Sequence, residues 1–132
     1  MPQKLKIIFL SLLCIPCVIQ AQDSTETKVE YLLNKAAALG NASNQAYTYL
    51  EEAVALARSE SPEELGVALY NLGIYYDTKS DFDKALFHLD SAETTCRSFE
   101  QDEWLTKTTN SKGVVYLRQG RDAQANSIIT LR

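Results

Sequence analysis

The chain has 132 residues, a formal net charge of −4 at pH 7, one histidine and three cysteines. An acidic surface repels a phosphate backbone, which argues against nucleic acid as the partner, and so few soft or nitrogen ligands give no metal-binding spacing. The length allows one domain with a modest core.

Lys4 and Lys6 precede an apolar run from Ile7 to Ile19, followed at once by Gln20 and Ala21. That is the layout of a secretory leader, with cleavage expected after Ala21. The run is shorter than the roughly 20 residues of a membrane-spanning helix and contains Pro16, so stable membrane insertion is not expected. Cys14 and Cys17 follow Leu12-Leu13 and Ile15-Pro16, not the small residues that lead a lipidated cysteine, and read as apolar leader residues. Processing would deliver residues 22–132 to the periplasm or the exterior, with 11 basic against 17 acidic side chains and a formal charge of −6. Of the cysteines only Cys96 would remain, so no intramolecular disulfide is expected, and a lone cysteine on an apolar helix face reads as a small core residue.

Apolar residues recur at three and four along the rest of the chain, and nothing alternates as a strand. This predicts an all-α fold with helices over about residues 25–39, 43–58, 62–78, 82–98, 102–118 and from 122 onward. Gly40-Asn41, Ser59 to Ser61, Lys79 to Asp81 and Gln119-Gly120 are the breaks. Ser61 and Asp81 are natural N-caps, and Pro62 suits a first helical position, where its missing N–H would be unpaired anyway.

The stretch Leu69-x-x-Leu72-Gly73-x-x-Tyr76, followed by Phe82, Ala85, Leu89 and Ala92, resembles the tetratricopeptide repeat. Two helices approach closely only where one presents a small residue to a large one of the other, so Gly73 and Ala85 are the expected contact points. Upstream, Leu33, Ala37, Ala46, Leu50 and Ala53 fall in the same register, with Asn34 at the place of Gly73. Downstream, Gly113, Tyr116, Gly120 and Ala125 repeat it, with Lys112 where Leu72 would be matched. The family's terminal proline is missing from each unit.

The resemblance implies an α–α superhelix of stacked antiparallel hairpins, about three units over residues 27–65, 66–105 and 106–132, the last incomplete. Ala46 to Ala85 is 39 residues and Gly73 to Gly113 is 40, longer than the usual repeat of about 34. Such extended repeats look like those of exported or membrane-anchored sensory proteins of Bacteroidetes-type bacteria. An array ending near Ile128, Ile129 and Leu131 would leave apolar side chains uncovered. A longer parent protein is the expectation there, with self-association through the uncapped hairpin as the alternative.

A search for chemistry finds no catalytic constellation. His88 has no second histidine or cysteine at ligand spacing, the acidic pairs Glu51-Glu52, Glu63-Glu64 and Asp102-Glu103 point around a helix, and no Gly-rich phosphate loop or nucleophile motif occurs. No enzyme activity, cofactor or metal is expected. Most tyrosines follow helical spacing as packing residues, and Trp104 reads as an inter-repeat anchor.

In the family the first helix of each unit lines a concave, ligand-binding side. The resemblance therefore nominates Tyr31 and Lys35 from the first unit, Tyr70, Asn71, Ile74 and Asp77 from the second, and Asn110, Val114 and Arg118 from the third. Lys35, Asn71 and Arg118 do not amount to the family's carboxylate clamp. The expected function is an exported adaptor binding a peptide or protein. The alternative is the periplasmic sensory part of a longer histidine kinase or transcriptional regulator.

Overall fold

A computed structural model describes residues 26–40 and 42–120. The leader assigned to residues 1–21 and the helix expected from residue 122 lie outside the described residues. Five α-helices follow in order, α1 (Lys28–Leu39), α2 (Asn44–Glu60), α3 (Leu65–Thr78), α4 (Phe82–Ser98) and α5 (Asp102–Arg118), with a 3-10 turn at Pro62–Glu64. Among the described residues there is no strand. None of these helices is long and apolar enough to cross a membrane.

The starts of α1, α2 and α4 are fixed by side-chain caps. Thr27 accepts from the Glu30 N–H, Ser43 from that of Gln45 and Asp81 from that of Lys84, each satisfying a donor that the helix cannot. Ser61 makes no such bond. Its carbonyl accepts from the Glu64 N–H at 2.8 Å, a tighter loop than an α-turn, so the chain passes through the 3-10 turn and becomes α-helical only at Leu65. Gly40 and Gly120 turn the chain with φ of 78° and 69°. Ser80 and Glu100 make left-handed turns without glycine, at φ of 60° and 55°. They are held by 2.9 Å bonds from Asp81 N–H to the Tyr76 carbonyl and from Gln101 N–H to that of Cys96.

α3 and α4 nest through two glycines. A Cβ on Gly73 would lie 2.8 Å from Leu89 Cγ and 3.3 Å from the Ala85 carbonyl oxygen, and one on Gly66 would lie 2.6 Å from Cys96 Sγ. The contacts run in opposite directions along the two helices, Gly66 with Cys96 and Gly73 with Leu89, so the pair is antiparallel. The sequence alignment identifies the Gly73 contact; the Gly66 contact has no counterpart in the repeat pattern. Cys96 is fully buried there, and burial pushes its thiol pKa upward, away from the reactive thiolate.

The same period appears between alternate helices. Ser111 Oγ donates to the Tyr70 hydroxyl at 3.3 Å and Arg118 meets Asp77, both across 41 positions of sequence, so α3 and α5 run side by side in one direction. Thr27 to Glu64, Lys79 to Ala42 and Gln101 to Glu63 are further bonds across 37, 37 and 38 positions.

Two apolar clusters form the core. One unites α1, α2 and α3 with Ala92, the other unites α4 and α5, and Tyr70 and Tyr76 pack against both. At roughly 25 cal/mol per Å² of apolar surface removed from water, this burial is the main stabilising term. In α1 the buried stripe is Val29, Leu32 and Ala36, whereas Leu33 is half-buried and Ala37 exposed. The helix is thus turned by one position from the register of the alignment, because its apolar stripe has to satisfy α2 and α3 together.

Lys112 also has a physical account. Its ammonium reaches Asp90 and Glu93 of α4, both at 2.6 Å, so an ionic contact between α4 and α5 stands where Leu72 makes an apolar one in the preceding unit. Gly113 has no side chain of another described helix within 4 Å of its Cβ position, and the helix expected to pack on it lies outside the described residues.

Candidate functional site

Helices α1, α3 and α5 lie on one side of the array, and between them is a cleft of about 390 Å³. α1 supplies Val29, Glu30, Leu33, Asn34 and Ala37, the 3-10 turn supplies Glu64, α3 supplies Val67 and Asn71, and α5 supplies Trp104. The α1 set recurs at three and four, which places it on one helix face at 3.6 residues per turn. Val67 and Asn71 are one turn apart on α3 for the same reason.

Trp104 stands in the cleft wall and packs α5 against α3. Its indole meets the Tyr70 ring edge-on at 5.4 Å between centroids, while Lys107 sits 4.3 Å above the ring and also pairs with Glu103 at 2.7 Å. The pairing with Lys107 holds the Glu103 carboxyl below its ordinary pKa. Trp104, expected as an inter-repeat anchor, is placed in contact with Tyr70 of the helix two earlier and in the cleft wall.

Within the cleft, polar groups are partly spent on one another. Asn71 Nδ2 donates to the Val67 carbonyl at 2.8 Å, Asn34 Nδ2 to Glu26 Oε1 at 2.7 Å, and the Thr27 hydroxyl to Glu64 Oε1 at 2.5 Å. These bonds set the rotamers of both asparagines and leave their carbonyl oxygens as acceptors.

Of the nine residues nominated from sequence, Asn71 lines this cleft. Tyr70, Asp77 and Arg118 are engaged between α3 and α5: Tyr70 with Trp104 and Ser111, Asp77 with Arg118 at 2.6 Å. Tyr31 is exposed, with the Lys35 ammonium 5.2 Å from its ring centre, in a direction on α1 roughly 130° from the mean of its cleft residues. Ile74 is half-buried, and Asn110 and Val114 are exposed on α5. The rotation of α1 explains why its cleft residues, Glu30 and Asn34, differ from the nominated pair. Val67 carried a legible signal, one turn before Asn71; Glu64 carried none, since its position depends on the 3-10 turn.

A second cleft of about 480 Å³ lies between α2 and α4, with Glu51, Arg58, His88, Ser91 and Phe87 on its walls. His88 stacks on Tyr76 at 5.3 Å, and burial, aided by Arg58, lowers its pKa, which keeps the imidazole neutral at pH 7. Ser91 Oγ donates to the Phe87 carbonyl at 3.1 Å, Glu51 accepts from the Tyr47 hydroxyl, and buried His88 Nδ1 has no hydrogen-bond partner. The three side chains therefore form no nucleophile–base–acid relay in this geometry. The Tyr47 hydroxyl pKa is raised, first by its bond to Glu51 and then by that with Tyr76. No group of three or more His, Cys, Asp or Glu among the described residues is arranged to hold a metal ion.

No known protein family matches this chain, and neither a curated protein nor a solved structure matches it significantly.

Proposed function

We propose that the chain is an exported array of tetratricopeptide-type hairpins that acts as an interaction scaffold, taking a peptide or protein segment into the cleft between α1, α3 and α5. The observation that carries this reading is the cleft itself. Its apolar floor, from Val29, Leu33, Val67 and Trp104, offers area for side-chain anchors, and its rim of Asn34, Asn71, Glu30 and Glu64 offers hydrogen-bond acceptors that orient a backbone. Export rests on the leader-like pattern of residues 1–21, and the repeat assignment on the Leu69 to Ala92 pattern together with the nesting of Gly73 on Leu89.

Trp104 is the sole tryptophan of the chain, so its emission reports on the cleft without a label. A panel of capped nine-residue peptides titrated into the purified protein should include members that change this emission saturably. Val67→Lys, which puts a long cation on the cleft floor, should weaken those members at least tenfold while the helical circular dichroism is kept. Peptides that bind equally well to the Val67→Lys protein would place the binding surface elsewhere.

A further inference from the structure

We infer that the segment taken into the α1–α3–α5 cleft carries a lysine or arginine beside apolar side chains. The inference rests on the proposed peptide cleft and names the chemistry of its occupant. The cleft is an apolar trough whose charged wall groups, among the described residues, are two carboxylates. One N–H of each asparagine amide and the Thr27 hydroxyl already have acceptors within the protein, at 2.5–2.8 Å. The charge in the wall comes from Glu30 and Glu64, and the amide oxygens of Asn34 and Asn71 are further acceptors.

Among the described residues no lysine, arginine or histidine lines the trough. The α1 lysines, Lys28 and Lys35, lie on the far side of that helix from its cleft residues, by the 100° advance per residue, and Lys35 is over the Tyr31 ring. Lys107, over the Trp104 ring, has Glu103 as its partner. An acidic occupant would meet two carboxylates with no compensating charge, and a neutral one would leave them desolvated and unpaired. A cationic side chain matches both carboxylates, while its aliphatic stem and neighbouring residues cover Val29, Leu33 and Val67. Thr27 ties the two acidic positions together, accepting from the Glu30 backbone N–H at 3.0 Å and donating to the Glu64 carboxylate, so Glu64 is held in place before anything binds.

The test uses three capped nonapeptides of leucine and alanine that differ at two central positions, occupied by lysine, glutamine or glutamate, with Trp104 emission as the readout. The lysine peptide should bind at least tenfold more tightly than the glutamine peptide, and the glutamate peptide more weakly than either. The lysine preference should shrink with salt and vanish in the Glu30→Gln/Glu64→Gln protein, in which glutamine keeps an acceptor for Thr27 and circular dichroism checks the fold. Equal binding of all three peptides, with sensitivity to Val67→Lys, would overturn the charge preference and leave the peptide cleft standing. Absence of binding by any of them, or binding that ignores Val67→Lys, would remove both. A lysine preference that survives the double substitution would also overturn the assignment to these carboxylates.

Discussion

The guanidinium of Arg118 on α5 meets the carboxylate of Asp77 on α3 at 2.6 Å and also donates to the Asp77 carbonyl at 3.1 Å, joining the C-terminal ends of α3 and α5. Asp77 is nine-tenths buried, and its second carboxylate oxygen has no hydrogen-bond partner. Removing Arg118 would leave that charge buried without compensation. Arg118→Ala is expected to destabilise the protein by about 1–3 kcal/mol, a figure kept low because Arg118 itself is partly exposed. Asp77→Asn, which removes the charge, should cost less. Urea melts of both variants measure the difference, and equal midpoint shifts would argue against an uncompensated charge as the cause.

The contact of Gly73 with Leu89 makes a prediction about additivity. A methyl group on Gly73 collides with Leu89 at 2.8 Å, and larger groups also press on the Ala85 backbone. Gly73→Leu and Ala85→Leu should each lower stability by about 1–3 kcal/mol through overpacking. Gly73→Ala combined with Leu89→Ala should cost less than the sum of its parts, because the second change removes the atoms struck by the first. A strictly additive cycle, read from denaturation midpoints, would show that the two helices can shift apart freely.

Stability should also depend on pH through the contact of α4 with α5. Glu93 accepts from Lys112 at 2.6 Å and from Arg97 at 2.9 Å, and the bond from Lys112 is the main cause that lowers its carboxyl pKa below 4.5. That stabilisation is present above pH 4.5 and disappears as pH falls through the lowered value. Burial works to lower the Lys112 pKa, but the bonds to Asp90 and Glu93 outweigh it and the net shift is upward from 10.5. Its contribution is therefore complete below pH 10.5 and lost as pH rises past the raised value. Lys112→Met should flatten both limbs of the curve, removing about 1 kcal/mol at neutral pH for a pair that is partly open to solvent. An unchanged acid limb in thermal melts of this variant would mean that Arg97 alone holds Glu93.

Helix positions were legible in the sequence because their signals are local. Apolar spacing sets α2 to α5 within a few residues, and Asp81 caps α4 as its side chain suggests. Gly73 and Ala85 were legible as close-approach points, since a small residue opposite a large one is a pairwise pattern, while the side chain that meets Gly73, Leu89, comes from the structure. What depends on a third element was not. The rotation of α1 follows from packing on two helices at once, and the 3-10 turn at Pro62–Glu64 changes which acidic side chain reaches the cleft. Lys112 shows the same limit: its departure from the repeat pattern makes sense only with Asp90 and Glu93 of the neighbouring helix in place. Trp104 was legible as an anchor, but its exposure to a trough required the separation of α1 from α5.

The principal packed pairs of helices are neighbours in the chain or one helix removed. Bringing any of them together closes a loop of only a few tens of residues, so little of the search entropy is spent before contacts form. The array is therefore expected to refold in microseconds to milliseconds, starting at whichever hairpin forms first. The α3–α4 pair, sealed by Gly66 on Cys96 and Gly73 on Leu89, is the natural seed from which ordering spreads toward both ends.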